Sequence, residues 1–441
     1  MTRGTARALG GGTASAAFRA ATPGAMGMTG VAAPPFLLPG AHFTAALGFL
    51  VLGAAGLVGF ADQFAVGGFP SPRVIAVAHL FTLGWITTSI MGALYQFLPV
   101  ALGQPIRSVR LAYASLLIHV IGLPLFVAGL LLGHTGALMS GAVGLAAALL
   151  IFIGNLAASL AAASRRGMTW WALSGAAFFL AVTLVLGVTL AGDLRWGYLG
   201  AARFDTVGMH LHVALGGWVL LVIVGVADHL LPMFLLSHGA GEVLPGAAAA
   251  LLAAGAAALV AFHHGPLVLG RWLPALLMGG GLACFLVQAA RQYRKRIRPS
   301  LDPGMRLAAI ALGILALGLV LAVPVVAGWA GPQLATAYVL VLVGGISVFV
   351  AALFYKIVPF LVWFHRFGPL AGRRPVPKVA DLFHAPTASA AGAMLAFGVL
   401  GLAAGILLGA ALVVRSAALV FGAGVLIETA QMYRLARRRP A

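Results

Sequence analysis

The chain has 441 residues, 62% of them hydrophobic and only 8% charged, with a mean hydropathy of +1.07. A soluble chain carries roughly 25% charged residues, so a water-soluble globular domain is excluded, and the lack of alternating ~10-residue segments excludes a membrane β-barrel. The formal net charge of +19 lies in short loops between apolar runs, which is the positive-inside pattern and not a nucleic-acid-binding surface.

Residues 1–35 are rich in Ala, Gly and Thr with Arg3, Arg7 and Arg19, and read as a disordered cytoplasmic tail. Residues 36–441 read as one all-α transmembrane domain. Apolar runs of about 20 residues, enough to cross ~30 Å of hydrocarbon, predict twelve helices. They cover 37–61, 73–100, 109–133, 137–164, 168–191, 205–236, 243–262, 267–290, 304–328, 333–363, 388–412 and 416–436. Cys284 is the single cysteine and lies within the eighth run, so an intrachain disulfide and a thiolate metal cage are both excluded.

An even number of spans puts both termini on one side. Arg107, Arg110, Arg165, Arg166, the Arg291–Arg298 cluster, Arg366, Arg373, Arg374, Lys378 and the Arg434–Arg439 cluster share that side with the N-terminal arginines. Both termini are therefore expected in the cytoplasm of a bacterial inner membrane, in contact with lipid. That orientation puts His79, His210, His212, His263 and His264 at one outer depth, with His119 in mid-membrane.

Spans 2 and 6 repeat each other. "HLFTLGWITTSIMGALYQFLP" and "HVALGGWVLLVIVGVADHLLP" share His, Gly, Trp, Gly and Pro at identical offsets: His79, Gly84, Trp85, Gly92 and Pro99 against His212, Gly217, Trp218, Gly225 and Pro232. Span 10 keeps Gly344 and Pro359 but has Val339 in place of the histidine. A recurrence every four helices predicts three four-helix arcs, with sites at the interfaces between repeats.

Residues two apart on a helix are separated by ~200°, so His210 and His212 point into different inter-helix spaces. Neutral imidazole is the commonest metal ligand, and iron and copper both accept it. His79, His210 and His212 are candidate haem ligands; with His263, His264 and His119 they form the candidate metal-binding set. Plainer roles compete: helix-packing hydrogen bonds for the first three, a solvated loop for His263–His264, and a hydrogen-bonded core position for His119. Gly84 and Gly217 would admit either a flat ring or a close helix. Tyr95, Gln96, Asp228, Lys356 and Glu428 are intramembrane polar groups, fit for proton transfer or for capping and snorkelling.

The stretch "HLHVALGGWVLLVIVGVADHLLP" resembles the tenth helix of the haem–copper oxidase catalytic subunit, nearest the C-type class. The resemblance implies twelve helices in three arcs, with His210 on a high-spin haem, His212 and His79 on a low-spin haem, and His263–His264 on copper. The motif here lies on span 6, and neither a His-x-x-x-Tyr nor a glutamate at the family's offset is present. The expected function is thus a divergent relative that binds b-type haem between His79 and His212, for electron transfer or diatomic gas (NO or O2) chemistry, with copper as a further cofactor. A periplasmic electron donor or a partner subunit would complete such a chain. A copper protein without haem and a secondary transporter with a histidine relay are the alternatives.

Overall fold

The computed structural model describes residues 35–241, 243–263 and 265–440. The tail expected over 1–35 therefore falls, except for its last residue, outside the described residues, as does His264. The described residues contain no strand and twelve helices long and apolar enough to span a membrane. They are α1 (Leu37–Gly59), α2 (Pro72–Leu102), α3 (Val109–Leu132), α4 (Thr135–Ala161), α5 (Met168–Trp196), α6 (Gly200–Leu235), α7 (Val243–Phe262), α8 (Val268–Arg294), α9 (Pro303–Val326), α10 (Pro332–Leu370), α11 (Ala385–Leu407) and α12 (Ala411–Arg437). The chain is an all-α polytopic membrane protein.

Local chemistry sets the ends. Ser71 accepts from the Val74 amide ahead of Pro72, Ser108 from Leu111, and Asp302 from Met305 ahead of Pro303. These caps satisfy amides that the first helical turn leaves free. Gly103, Gly133 and Gly197 close α2, α3 and α5 in the left-handed conformation, which costs a glycine least.

α12 packs against α1, so the bundle closes on itself. The three copies of the repeat, α2, α6 and α10, are the most buried of the twelve spans. Their large side chains set the core: Trp85, Met91, Leu94, Trp218, Leu221 and Phe349 are all inaccessible or nearly so. Outer spans expose Leu117, Val143, Phe178, Leu276, Phe397 and Leu419, as lipid contact requires.

The repeat extends to backbone geometry. Directly after His79 the chain runs as a π-helix over Leu80–Thr87, and directly after His212 it does so over Val213–Leu220. α10, which lacks the histidine, is α-helical through the matching stretch. π segments are rare, are held by i→i+5 bonds and recur at functional sites. Gly84 and Gly217 lie inside them, but helices and not a planar group fill the space beside them. A Cβ at Gly84 would stand 2.5 Å from Phe49 Cβ, and one at Gly217 would stand 2.8 Å from Phe179 Cβ.

Candidate functional site

Hydrogen bonds connect the three central helices in a ring. The Trp85 indole of α2 donates to Ser347 O of α10 at 3.3 Å, and the Trp218 indole of α6 donates to Thr87 Oγ1 of α2 at 3.3 Å. By the repeat, the third donor would come from position 345, which is glycine. The link from α10 to α6 is made instead by Tyr338, whose hydroxyl lies 3.0 Å from His212 Nε2.

Both matched histidines are held alike. His79 Nδ1 bonds Ile75 O at 2.8 Å and His212 Nδ1 bonds Gly208 O at 2.7 Å, each to the carbonyl four residues back. A carbonyl only accepts, so each Nδ1 carries the proton and each Nε2 is left as a lone-pair donor. The His212 Nε2 accepts from Tyr338, with the two rings 25° from parallel and 5.8 Å between centroids.

His79 Nε2 has no such hydroxyl. Its ring lies instead opposite His210, at 6.3 Å between centroids and 24° between planes. His210 Nδ1 donates to Thr183 O of α5 at 3.1 Å, so its Nε2 too is uncommitted. Gly187 of α5 makes room for this ring, since a Cβ there would be 3.1 Å from His210 Cε1. Phe126 of α3 walls the other side, 5.1 Å from the His79 ring. The structure therefore brings His79 together with His210, and His212 together with Tyr338. The two histidines of the His-x-His do face different spaces.

The third space, between α10 and α2, contains no polar pair. Val339 and Ala78, at the positions that carry His212 and Tyr338 elsewhere in the ring, line an apolar cavity of about 60 Å³ with Val77, Phe81, Val343 and Gly344. The three spaces between the central helices thus hold a histidine pair, a histidine–tyrosine pair and a void.

His119 is fully buried and bonds Leu83 O through Nε2 at 3.2 Å. That carbonyl sits within the first π segment and also accepts from the Thr88 hydroxyl at 3.0 Å. His263, at the end of α7, has its Nδ1 3.4 Å from Val260 O. Among the described residues no group of three or more His, Cys, Asp or Glu side chains is placed to hold a metal ion. Of the other polar candidates, Lys356 pairs with Asp302 at 2.7 Å. Glu428 is fully buried, and neither carboxylate oxygen has a hydrogen-bond partner.

Tyr338 was not singled out from sequence, because it sits one residue before the column of matched positions and is not a histidine. A hydroxyl-bearing aromatic beside the one missing histidine is the signal that marks it. Tyr338→Phe will remove the proton donor from a half-buried imidazole nitrogen. A loss of about 1–3 kcal/mol is expected, measurable as a lower unfolding midpoint in detergent, with Tyr113→Phe on the partly exposed face of α3 as the comparison.

No protein-family model matches the chain, and no curated protein matches it.

Proposed function

We propose that this is a haem-binding membrane protein of the haem–copper oxidase type, in which His79 and His210 hold one b-type haem iron. The facing pair His79–His210 carries the reading. Two imidazoles on different helices each commit Nδ1 to a carbonyl, the arrangement that fixes the tautomer and raises the basicity of the ligating nitrogen. Their ring centroids are 6.3 Å apart, close enough for the two imidazoles to share one metal ion. The donor set, two neutral imidazoles with each Nδ1 proton held by a carbonyl, is one that iron accepts.

Bound haem would supply one-electron redox chemistry or diatomic gas binding, and the protein orients the ligands and sets the surroundings. Thr183 and Ile75 aim the two rings, Gly187 leaves space for one of them, and Phe126 shields the other. With both imidazoles given to one iron, the chemistry the group would supply is electron transfer in preference to gas reduction. His212, its lone pair occupied by Tyr338, acts as a structural acceptor between α6 and α10.

The loops put most of the basic residues at the opposite end from this pair, against Arg73, Arg195, Arg203, Arg271 and Arg415 at the same end, which supports cytoplasmic termini, an inner-membrane location and a redox partner that approaches from outside. The decisive experiment is a visible spectrum of the purified protein, oxidised and dithionite-reduced, after expression with ample haem. Sharp reduced α and β bands with a Soret band are expected. Without a Soret band the haem reading is lost, and copper found instead by metal analysis would assign the pair to copper.

A further inference from the structure

The space between α2 and α10 is an apolar cavity that the haem reading does not use. Its volume of about 60 Å³ is several times the ~10–15 Å³ that one water molecule needs. Protein interiors are otherwise close-packed, with few voids larger than a water, so a void here needs a cause. The repeat supplies it. Val339 and Ala78 stand where the ring carries His212 and Tyr338, and no larger side chain replaces the missing rings.

Contacts on every side keep the walls from closing on the space. Behind the cavity, α2 is held against α1: a Cβ at Gly53 would stand 2.9 Å from Phe81 Cε2, and one at Gly56 would stand 2.6 Å from Val77 Cγ2. α10 is held against α11 in the same way, with Val399 Cγ1 at 2.7 Å from a Cβ at Gly344. Deeper in the bundle the Trp85 indole spans α2 and α10 by its 3.3 Å bond to Ser347 O. Toward the outer end, the loop between α1 and α2 rests on the start of α10, where a Cβ at Gly67 would be 2.5 Å from Pro332 C. Collapse would break these contacts, so the void is propped open. Its wall residues Phe64, Val74, Leu402 and Phe421 are buried, which encloses it.

Water does not suit this space. Among the described residues Thr336 gives the lining its only polar side chain, and one hydroxyl falls short of the two to four partners a buried water takes. A charged group would be desolvated without a partner, which is costlier still.

We propose that this cavity binds one small uncharged apolar molecule, of the size class of a noble-gas atom or a diatomic gas. Ala78 lines it and directly precedes His79, so the occupant is stored beside the imidazole pair, on another face of α2. The site needs no haem and no histidine.

The test uses xenon as the probe, an apolar gas that dry cavities of this kind bind. Purified protein in detergent is titrated with xenon and followed by xenon NMR, with protein-free micelles as the baseline. One saturable site per chain is expected. Val339→Ile adds a methyl group to the wall and should weaken xenon binding about ten-fold or more, as one methylene does in an apolar pocket. Val339→Phe should abolish it. The absence of a saturable site in the wild type overturns the proposal. Wild-type affinity in the variants overturns it too, since the xenon would then sit elsewhere. Should Val339→Phe fail to fold, the wild type and Val339→Ile decide the matter. None of these readings depends on haem content, which the visible spectrum reads separately.

Discussion

His79→Ala and His210→Ala, made singly, will each remove the low-spin haem spectrum, whereas His212→Ala will keep it. The contrast separates two pairings. The repeat matches His79 with His212, and pairing by that match alone would put the iron between them. The structure instead puts His210 opposite His79, with ring centroids 6.3 Å apart, and gives the His212 Nε2 to the Tyr338 hydroxyl. Loss of a ligand should weaken haem retention by at least about 100-fold, beyond the 10–100-fold typical of losing a group behind a ligand. Haem per chain after size-exclusion chromatography and the reduced-minus-oxidised spectrum read it directly. Gly187→Val should give a graded result, because its side chain crowds the His210 ring at 3.1 Å without removing a nitrogen. If His212→Ala abolishes the spectrum while His210→Ala leaves it intact, the His79–His210 assignment is wrong.

Gly141→Ala will destabilise the protein by roughly 3 kcal/mol, the upper end of the usual cost of overpacking. A Cβ at Gly141 on α4 would lie 2.3 Å from Phe126 N and 2.5 Å from Phe126 Cα on α3. Gly129 on α3 makes the reciprocal approach, with Leu138 N at 2.3 Å. These are backbone atoms, so no side-chain rotation relieves the clash; the two helices must separate. The same movement displaces Phe126, whose ring is 5.1 Å from His79, and haem retention should fall together with stability. Gly154→Ala on the same helix is the control. Nothing lies within 4 Å of its Cβ position, so the gain in helix propensity over glycine, about 0.5–1 kcal/mol, should leave the unfolding midpoint unchanged or slightly higher. Equal midpoints for the two variants would show that the α3–α4 approach contributes nothing to stability.

Much of the architecture was legible in the sequence. A span must be apolar over the full thickness of the hydrocarbon, so composition alone marked all twelve helices, with ends shifted by a few residues at the caps. The repeat on α2, α6 and α10 was equally legible, since a shared role imposes shared offsets, and these proved to be the central helices. The His-x-His spacing foretold two different spaces, because ~100° per residue is a local property.

Which neighbour each histidine meets was decided only by the tertiary structure. Three facts intervene that no offset records. The π segments after His79 and His212 turn less per residue than an α-helix, and so shift everything beyond them around the axis. Tyr338 reaches His212 from a helix 126 residues away along the chain. Gly187 and Thr183 position His210 from α5, a helix outside the repeat. Hydropathy and spacing are one-dimensional and constrain where a residue lies along a helix and on which side. The partner across an interface depends on how whole helices rotate and approach, and that is set by the summed packing of small residues such as Gly141 and Gly129. The sequence by itself therefore determined the membrane-spanning class and the twelve spans, while the bundle alone brought His79 opposite His210.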